Sequence, residues 1–390
     1  MDNFFQTWKQ NTEYFEILQF LASLSGLFSD NVVPYLDYRL TENVFCKFFN
    51  AQNEARACTA YDAKLNLLGI GIKTFILKND QSSEKVAEFN KLKSKLDPLS
   101  GIDLARQLGY FRNERIQFAD NSYGTNNRIY HIVGRNEGLL RIFNTTYDYI
   151  DIDNIRIIKD NNSGFWFEDG INEYSFNRSK SVLIKRFQVN SKDYVDVPVE
   201  ILQDPLEVLK NLLNNSIPTV QASILTPSNV YKKGVDYVIL PLYSERGGRN
   251  IAPKSGLNQW NAGGRKRDPN EIYIPIPKSI HNNYPNFFPP RDEHFSLELP
   301  DGNVLSAKVC QDGGKALMST HNADLGEWLL RKVLRKPEGE LVTIDDLDRV
   351  GIDSVRIVNN HQSDFEGKKI YSISFADSYE SYSEFSGDEE

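Results

Sequence analysis

The sequence predicts a multidomain protein with an α/β N-terminal half and a small β-rich C-terminal domain. Three observations predict it. Apolar residues in the first 57 positions recur at helical spacing, and from residue 61 the pattern changes to strands and turns. After residue 218 the chain breaks into many short strand-like runs with one prominent helix, which suits a small pseudobarrel. At 390 residues there is length for two or three domains, and 40% hydrophobic content gives each of them material for a core.

Taken in order, residues 1–30 predict a helix with Phe15, Leu18, Phe20, Leu21 and Leu24 on its apolar positions, ended by Gly26. A second helix is expected over 41–57, opened by Thr41-Glu-Asn-Val, with Val44, Phe45, Phe48 and Phe49 on one face. Residues 61–66 and 68–77 read as strand, turn and strand, and 83–92 as a helix opened by Ser82 or Ser83. Strands follow at 130–135, 139–143 and 155–158, then a hairpin over 165–176 turning at Asp169-Gly170. Asp204 and Pro205 supply the cap and first residue of another helix, which the run NNSIP at 214–218 breaks. The expected units are 1–190, a linker over 191–217, a second domain over 218–365 and an acidic tail over 377–390. A helix over 325–334 stands out in the second domain.

The three cysteines, Cys46, Cys58 and Cys310, are too few and too far apart for a zinc site or a disulfide framework, so a reducing, cytoplasmic setting is expected. The N-terminus has no signal-peptide pattern, and no apolar run reaches membrane-spanning length. The formal net charge is −8, but it is uneven. Asp377, Glu380, Glu384, Asp388, Glu389 and Glu390 crowd the tail, whereas six Lys or Arg residues fall between Arg246 and Arg267 with no acid among them. The glycine pairs Gly247-Gly248 and Gly263-Gly264 in that stretch free the backbone for close approach, and Trp260 adds a flat apolar surface. A basic loop anchored by the run Ile272-Tyr-Ile-Pro-Ile-Pro is suited to a DNA groove, because Arg forks onto phosphate and onto guanine edges alike. The other reading of the same loop is a solvated surface, and Trp260 suits packing as well as contact.

From residue 235 to 358 the chain resembles the B3-like DNA-binding domain of type II restriction endonucleases. The resemblance rests on Asp236-Tyr-Val-Ile-Leu-Pro-Leu-Tyr-Ser, Lys254-Ser-Gly-Leu-Asn, Gly264-Arg, Asn270-Glu-Ile-Tyr-Ile-Pro-Ile-Pro, Phe295-Ser-Leu-Glu-Leu-Pro-Asp-Gly, Gly314-Lys-Ala-Leu-Met-Ser and Leu325-Gly-Glu-Trp-Leu-Leu. It implies two arms that clasp the major groove of double-stranded DNA. Arg246, Arg249, Lys254, Asn258, Trp260, Arg265 and Arg267 fall in the first arm, and Lys315, Ser319, Thr320, His321 and Asn322 in or near the second. Arg265 and Asn258 are expected at bases, Lys254 and Lys315 at phosphates.

The order of a helix, a strand carrying an Asp, a strand carrying a Lys and a helix is similar to the PD-(D/E)XK nuclease core, with Asp62 and Gly71-Ile-Lys73-Thr-Phe as the active-site hairpin. The resemblance implies Mg²⁺-dependent hydrolysis of phosphodiester bonds, leaving 5′-phosphate and 3′-hydroxyl ends. Hard oxygen ligands suit Mg²⁺, and a Lys beside it can orient water and screen phosphate charge. Asp62, Lys73 and Glu54 are the expected catalytic residues, with Asp62 and Glu54 as metal ligands. The acid two residues before the Lys is replaced by Gly71, so Glu54, expected on the preceding helix, takes first place and Glu88 second. Lys180, Lys185 and Arg186 suit either backbone phosphate or a solvated face, and His131 reads as a core or surface histidine.

The whole then implies a type II restriction endonuclease, paired with a cognate methyltransferase and acting either alone on each strand or as a homodimer. A metal-free phospholipase D-like site needs His-x-Lys, and the five histidines are followed two residues later by Val133, Asn283, Ser296, Ala323 and Ser363. A DNA-binding regulator with a degenerate nuclease domain is the non-enzymatic alternative, and the missing acid at Gly71 is its support.

Overall fold

Helices and strands of the first half follow the capping chemistry of the chain closely. The computed structural model describes residues 4–55, 57, 59–161, 164–189, 192–216, 237–244, 248–377 and 379. The helix expected over 1–30 is divided at Asn11, whose side chain accepts from the Tyr14 N–H and starts α1 (Thr12–Ser23). Asp37 accepts from the N–H groups of Arg39 and Leu40 to cap α2 (Tyr38–Phe49), and Asn50, at φ 51°, ends it. This helix stops short of its expected end at 57, so Glu54 is not on it.

Strands β1 (Gln52–Asn53), β2 (Ala63–Leu65) and β3 (Leu68–Ile76) form an antiparallel meander, the last two joined by a turn with Asn66 at φ 54°. Residues 81–88, expected to open a helix over 83–92, instead form strand β4 (Gln81–Glu88). Its backbone pairs antiparallel with β10 (Val182–Gln188), and this ladder outweighs the helical propensity of a Glu-Lys-Val-Ala-Glu run. β5 (Asn127–Asn136) lies parallel to β3, so the chain must cross over between them. It does so through α3 (Gly101–Tyr123), a helix that the reading of the sequence missed. Its signals were present: Asp103 in the first turn, Leu104, Leu108 and Phe111 at helical spacing, and Gly124 at φ 65° after the last turn. Asp160 accepts from the Gly101 N–H at 2.8 Å, placing a carboxylate at the helix N-terminus.

The first sheet runs β1-β2-β3-β5-β6-β11, completed by β6 (Leu139–Thr146) and β11 (Tyr194–Pro198). The second runs β4-β10-β9-β8-β7, with β7 (Arg156–Asn161), β8 (Gly164–Glu168) and β9 (Glu173–Asn177). The β8–β9 hairpin turns at Asp169-Gly170 as expected, and the Asp169 carboxylate accepts from Ile171 and Asn172. Phe4, Trp8, Tyr14 and Phe45 cover one face of the first sheet over Ile70, Ile72 and Ile142. His131 is fully buried there, bonded to Tyr14 Oη at 2.8 Å and Asn144 Oδ1 at 2.7 Å. Burial pushes its pKa down to about 4, so it is a neutral core histidine.

The C-terminal sheet contains β12 (Tyr237–Pro241), β13 (Ile274–Pro275), β14 (His294–Glu298), β15 (Val304–Cys310), β16 (Ala316–Ser319), β17 (Ser354–Ser363) and β18 (Lys369–Ala376). Its order is β12-β17-β18-β14-β15-β16-β13, and the two end strands approach each other, so the sheet curls into a half-barrel. The helix expected over 325–334 is present as Asp324–Gly326 continuing into a wider π-type turn, Glu327–Val333. It closes the half-barrel with Trp328, Leu329, Leu330 and Val333. β11 and β18 carry the sheets past the expected boundaries at 190 and 365. The expected break at 218 and the tail after Tyr379 lie outside the described residues. Among the described residues no helix is long and apolar enough to cross a membrane.

α3 touches all three sheets. Leu104, Leu108 and Phe111 pack on Phe165, Phe167 and Phe176 of the second, while Ile116, Ala119 and Tyr123 pack on Tyr130 and Ile132 of the first. Phe118 belongs to the C-terminal core, its ring 4.9 Å from that of Phe375 in an edge-to-face contact. Around it, Lys91 pairs with Asp353 at 2.9 Å and with Asp377, Lys95 pairs with Asp345, and the Asn121 amide donates to the Val333 carbonyl at 3.3 Å. Phe118→Ala is expected to cost about 3–5 kcal/mol in guanidinium unfolding followed by tryptophan fluorescence. A loss below about 1 kcal/mol would show that the helix does not depend on this contact.

Candidate active site and DNA-facing surface

Asp62 stands one residue before β2, held by its backbone on both sides. Its N–H donates to the Ile70 carbonyl and its own carbonyl accepts from the Glu54 N–H, each at 2.9 Å. The carboxylate turns toward β3, where Oδ2 accepts from the Ile72 N–H at 2.7 Å and lies 3.6 Å from Lys73 Nζ. Both side chains keep a window to solvent, 23% for Asp62 and 30% for Lys73. The Asp62 carboxylate raises the pKa of Lys73 against the opposing effect of burial. The amine is therefore a fixed cation at neutral pH, able to donate to water or to a phosphate oxygen but not to act as a base.

The structure brings Asp62 and Lys73 together as expected and adds acids that sequence reasoning missed. Glu42 of α2 is buried, and burial and then the Asp62 charge push its pKa up to about 7; Lys73 acts on it in the opposite direction. Glu84 of β4 is also raised by burial, countered by Ser82, Lys73 and Arg135. Glu54 departs from expectation. Its backbone pairs with Asp62, but its carboxylate bonds the Tyr123 hydroxyl and feels Lys64, while burial raises its pKa to about 7. Glu88 closes β4 and pairs with Lys85 at 3.0 Å. The helical spacing of α2 could have flagged Glu42 as an acid on its sheet-facing side. Glu84 was hidden by the mistaken helix.

Behind the hairpin lies a buried polar cluster. Tyr130 and Tyr147 stack with centroids 3.9 Å apart and planes 9° apart. Arg112 of α3 donates to both hydroxyls, at 3.0 Å to Tyr130, and the Tyr147 hydroxyl donates to the Ala60 carbonyl at 2.7 Å. Lys185, read from the sequence as suiting either phosphate or a solvated face, is buried with Nζ 5.3 Å from the Tyr130 ring centre, and burial lowers its pKa to about 8. Arg186 pairs with Glu173, and Lys180 is exposed.

As for a metal, no three His, Cys, Asp or Glu side chains converge as a ready cage among the described residues. Mg²⁺ does not require one, since it binds through one or two carboxylates and keeps several waters. The donor chemistry of Asp62 with Glu42 fits that requirement.

The C-terminal arms separate into supports and exposed groups. Arg249 forms an ion pair with Asp348 at 2.8 Å over the Tyr243 ring. Arg265 and Arg267 share the buried Glu271 carboxylate at 2.6 and 3.2 Å, and Arg267 also donates to the Gly263 carbonyl. Asn258, expected at a base, is fully buried. Its amide donates to the Val342 carbonyl at 2.9 Å and its oxygen accepts from the Val342 N–H at 2.9 Å, so it clamps the loop. Trp260 packs partly buried against the core. Ser319 is buried and bonds the His321 carbonyl, and Thr320 bridges Ser306 and His294.

Lys254, Lys266, Lys315, His321 and Asn322 are exposed, and Arg265 is half exposed. Arg246 lies outside the described residues. A concavity of ≈ 770 Å³ is lined by Asn250, Ala252 and Ser255 of the first arm, by Lys315 of the second and by Lys278 between them.

Residues 232–361, a third of the chain, match the family model described as the NgoFVII C-terminal B3-like DNA-binding domain. The match covers the curled half-barrel from β12 into β17. No curated protein matches the chain. Asn258→Ala is expected to cost about 1–3 kcal/mol by leaving the Val342 groups unpaired, read by chemical denaturation. Stability unchanged within about 0.5 kcal/mol would contradict the clamp.

Proposed function

We propose that the protein is a sequence-specific type II restriction endonuclease. Its C-terminal domain reads a short site in double-stranded DNA, and its N-terminal domain hydrolyses phosphodiester bonds with Mg²⁺. The observation that carries the reading is the union, in one chain, of a B3-like reader match with an Asp62–Lys73 pair 3.6 Å apart on adjacent strands. The element order supports it: α2, β1, Asp62 just ahead of β2, the Lys73-bearing β3, β4, α3 and then β5 parallel to β3.

Asp62 and Glu42 would hold the metal ion. Mg²⁺, when bound, polarises the phosphoryl oxygen and stabilises the charge that develops there. Lys73 supplies a permanent donor beside it, placed to orient water and screen phosphate charge. The Ile72 N–H fixes one Asp62 oxygen and leaves the other free to face the metal. Glu42 supplies its carboxylate only once it has lost the proton that burial and Asp62 favour. In the reader, Lys254 and Lys315 are the phosphate contacts, and Lys266, His321 and Asn322 are the exposed groups that approach bases, beside Arg265, whose half-exposed guanidinium is held by Glu271. A cognate DNA methyltransferase is the functional partner that such an enzyme requires.

The test is digestion of plasmid and phage DNA by purified protein, with Mg²⁺ and with EDTA, beside Asp62→Ala and Lys73→Ala. Discrete Mg²⁺-dependent fragments are expected, with cleavage reduced at least about a hundredfold in each variant while DNA binding persists. Sequence-specific binding without cleavage under any divalent cation would favour a DNA-binding regulator, and cleavage persisting in EDTA would end the metal reading.

A further inference from the structure

We infer that the Asp62 hairpin holds a single divalent ion, because the stacked rings of Tyr130 and Tyr147 fill the space from which a second hairpin acid would reach. The inference rests on the nuclease reading above. Gly71 precedes Lys73 by two residues on β3, so a side chain there would project from the same face as the lysine. A Cβ at Gly71 would lie 2.8 Å from the Tyr130 ring and 2.9 Å from the Tyr147 ring, closer than non-bonded carbons approach.

The rings cannot readily yield. They stack on each other, Arg112 ties their hydroxyls together, and the Tyr147 hydroxyl is anchored to the Ala60 carbonyl. Lys185 Nζ lies 5.3 Å from the centre of the Tyr130 ring. The place of a carboxylate is thus taken by a neutral aromatic pair backed by a buried guanidinium, and positive charge in that position disfavours a second cation. The Glu84 carboxylate is held on its own strand, where it accepts from the Ser82 hydroxyl at 2.8 Å.

The same hydroxyl gives Tyr147 a positioning role. Ala60 stands two residues before Asp62, so the bond from Tyr147 fixes the turn that carries the remaining hairpin acid. Groups that orient a metal ligand through a hydrogen bond typically contribute ten- to a hundredfold in affinity.

The experiment titrates the full-length protein with Mn²⁺ in the absence of DNA, by calorimetry and by electron paramagnetic resonance. One ion per chain is expected for the wild type and none for Asp62→Ala. Tyr147→Phe keeps the ring stack and removes the hydroxyl. It should still bind one ion, about ten- to a hundredfold more weakly, with DNA affinity unchanged and a thermal midpoint lowered by the loss of a partner for Ala60 and Arg112. Gly71→Asp should lower the thermal midpoint and gain no ion. Two ions per wild-type chain, or a Gly71→Asp protein of normal stability with a second ion, would overturn the single-ion inference alone. A Tyr147→Phe protein of unchanged affinity would overturn the positioning role. No Mn²⁺ bound by the wild type would overturn both this inference and the metal-dependent nuclease reading beneath it.

Discussion

The insertion of Phe118 into the C-terminal core is the contact on which the arrangement of the chain depends. Nearly two turns of α3 toward the N-terminus, Arg112 reaches Tyr147 and Tyr130 behind the Asp62 hairpin. Toward its C-terminal end, Asp120 accepts from the Tyr61 hydroxyl, the residue beside Asp62, and pairs with Arg128. On the same helix, Arg115, Phe118 and Asn121 hold the half-barrel, Arg115 by donating to the Arg349 carbonyl at 3.2 Å. One helix therefore supports the hairpin from one face and the half-barrel from another. Shifting it would disturb both, since well-packed interfaces resist gradual deformation.

The candidate site is economical in charge. A single carboxylate and a single amine sit on adjacent strands, and the carboxylate keeps the amine protonated. Further acids come from outside the hairpin, Glu42 from α2 and Glu84 from β4, both raised by burial. In the half-barrel, several cations of the basic stretch stabilise the loop instead of pointing outward. Arg249 answers Asp348, and Arg265 and Arg267 answer Glu271. A partly buried Arg–carboxylate pair is well suited to this, because the guanidinium fork bonds carboxylate and carbonyl oxygens together. That leaves Lys254 and Lys266 as exposed charges on the first arm, and Lys278 and Lys315 as exposed charges lining the concavity.

Much of this was legible in the chain. The strand–turn–strand around Asp62 and Lys73 was readable because its residues alternate and its turn carries Asn66. The B3-like segment was readable because its short runs recur in order, and the family match bears it out. Other features depended on partners far away in sequence. Residues 81–88 became a strand because β10, a hundred residues on, pairs with them. Glu42 became a site acid only when α2 packed over the hairpin. Asn258 looked like a groove-facing amide because nothing in the local sequence announces its clamp on Val342. The pairing of Arg267 with Glu271 was available at i, i+4 spacing and passed unread. The missing acid at Gly71 gains its physical reason from Tyr130 and Tyr147, which only the fold places beside it.

A reader and a hairpin tied through one helix should place the cut at a constant distance from the bound sequence. Sequencing the ends of fragments produced from phage DNA measures that distance directly. Ends at one fixed offset from a single recurring sequence are the predicted result. Ends scattered over many offsets would contradict the rigid link through Phe118, and intact DNA under every divalent cation would contradict the catalytic role of the Asp62–Lys73 pair.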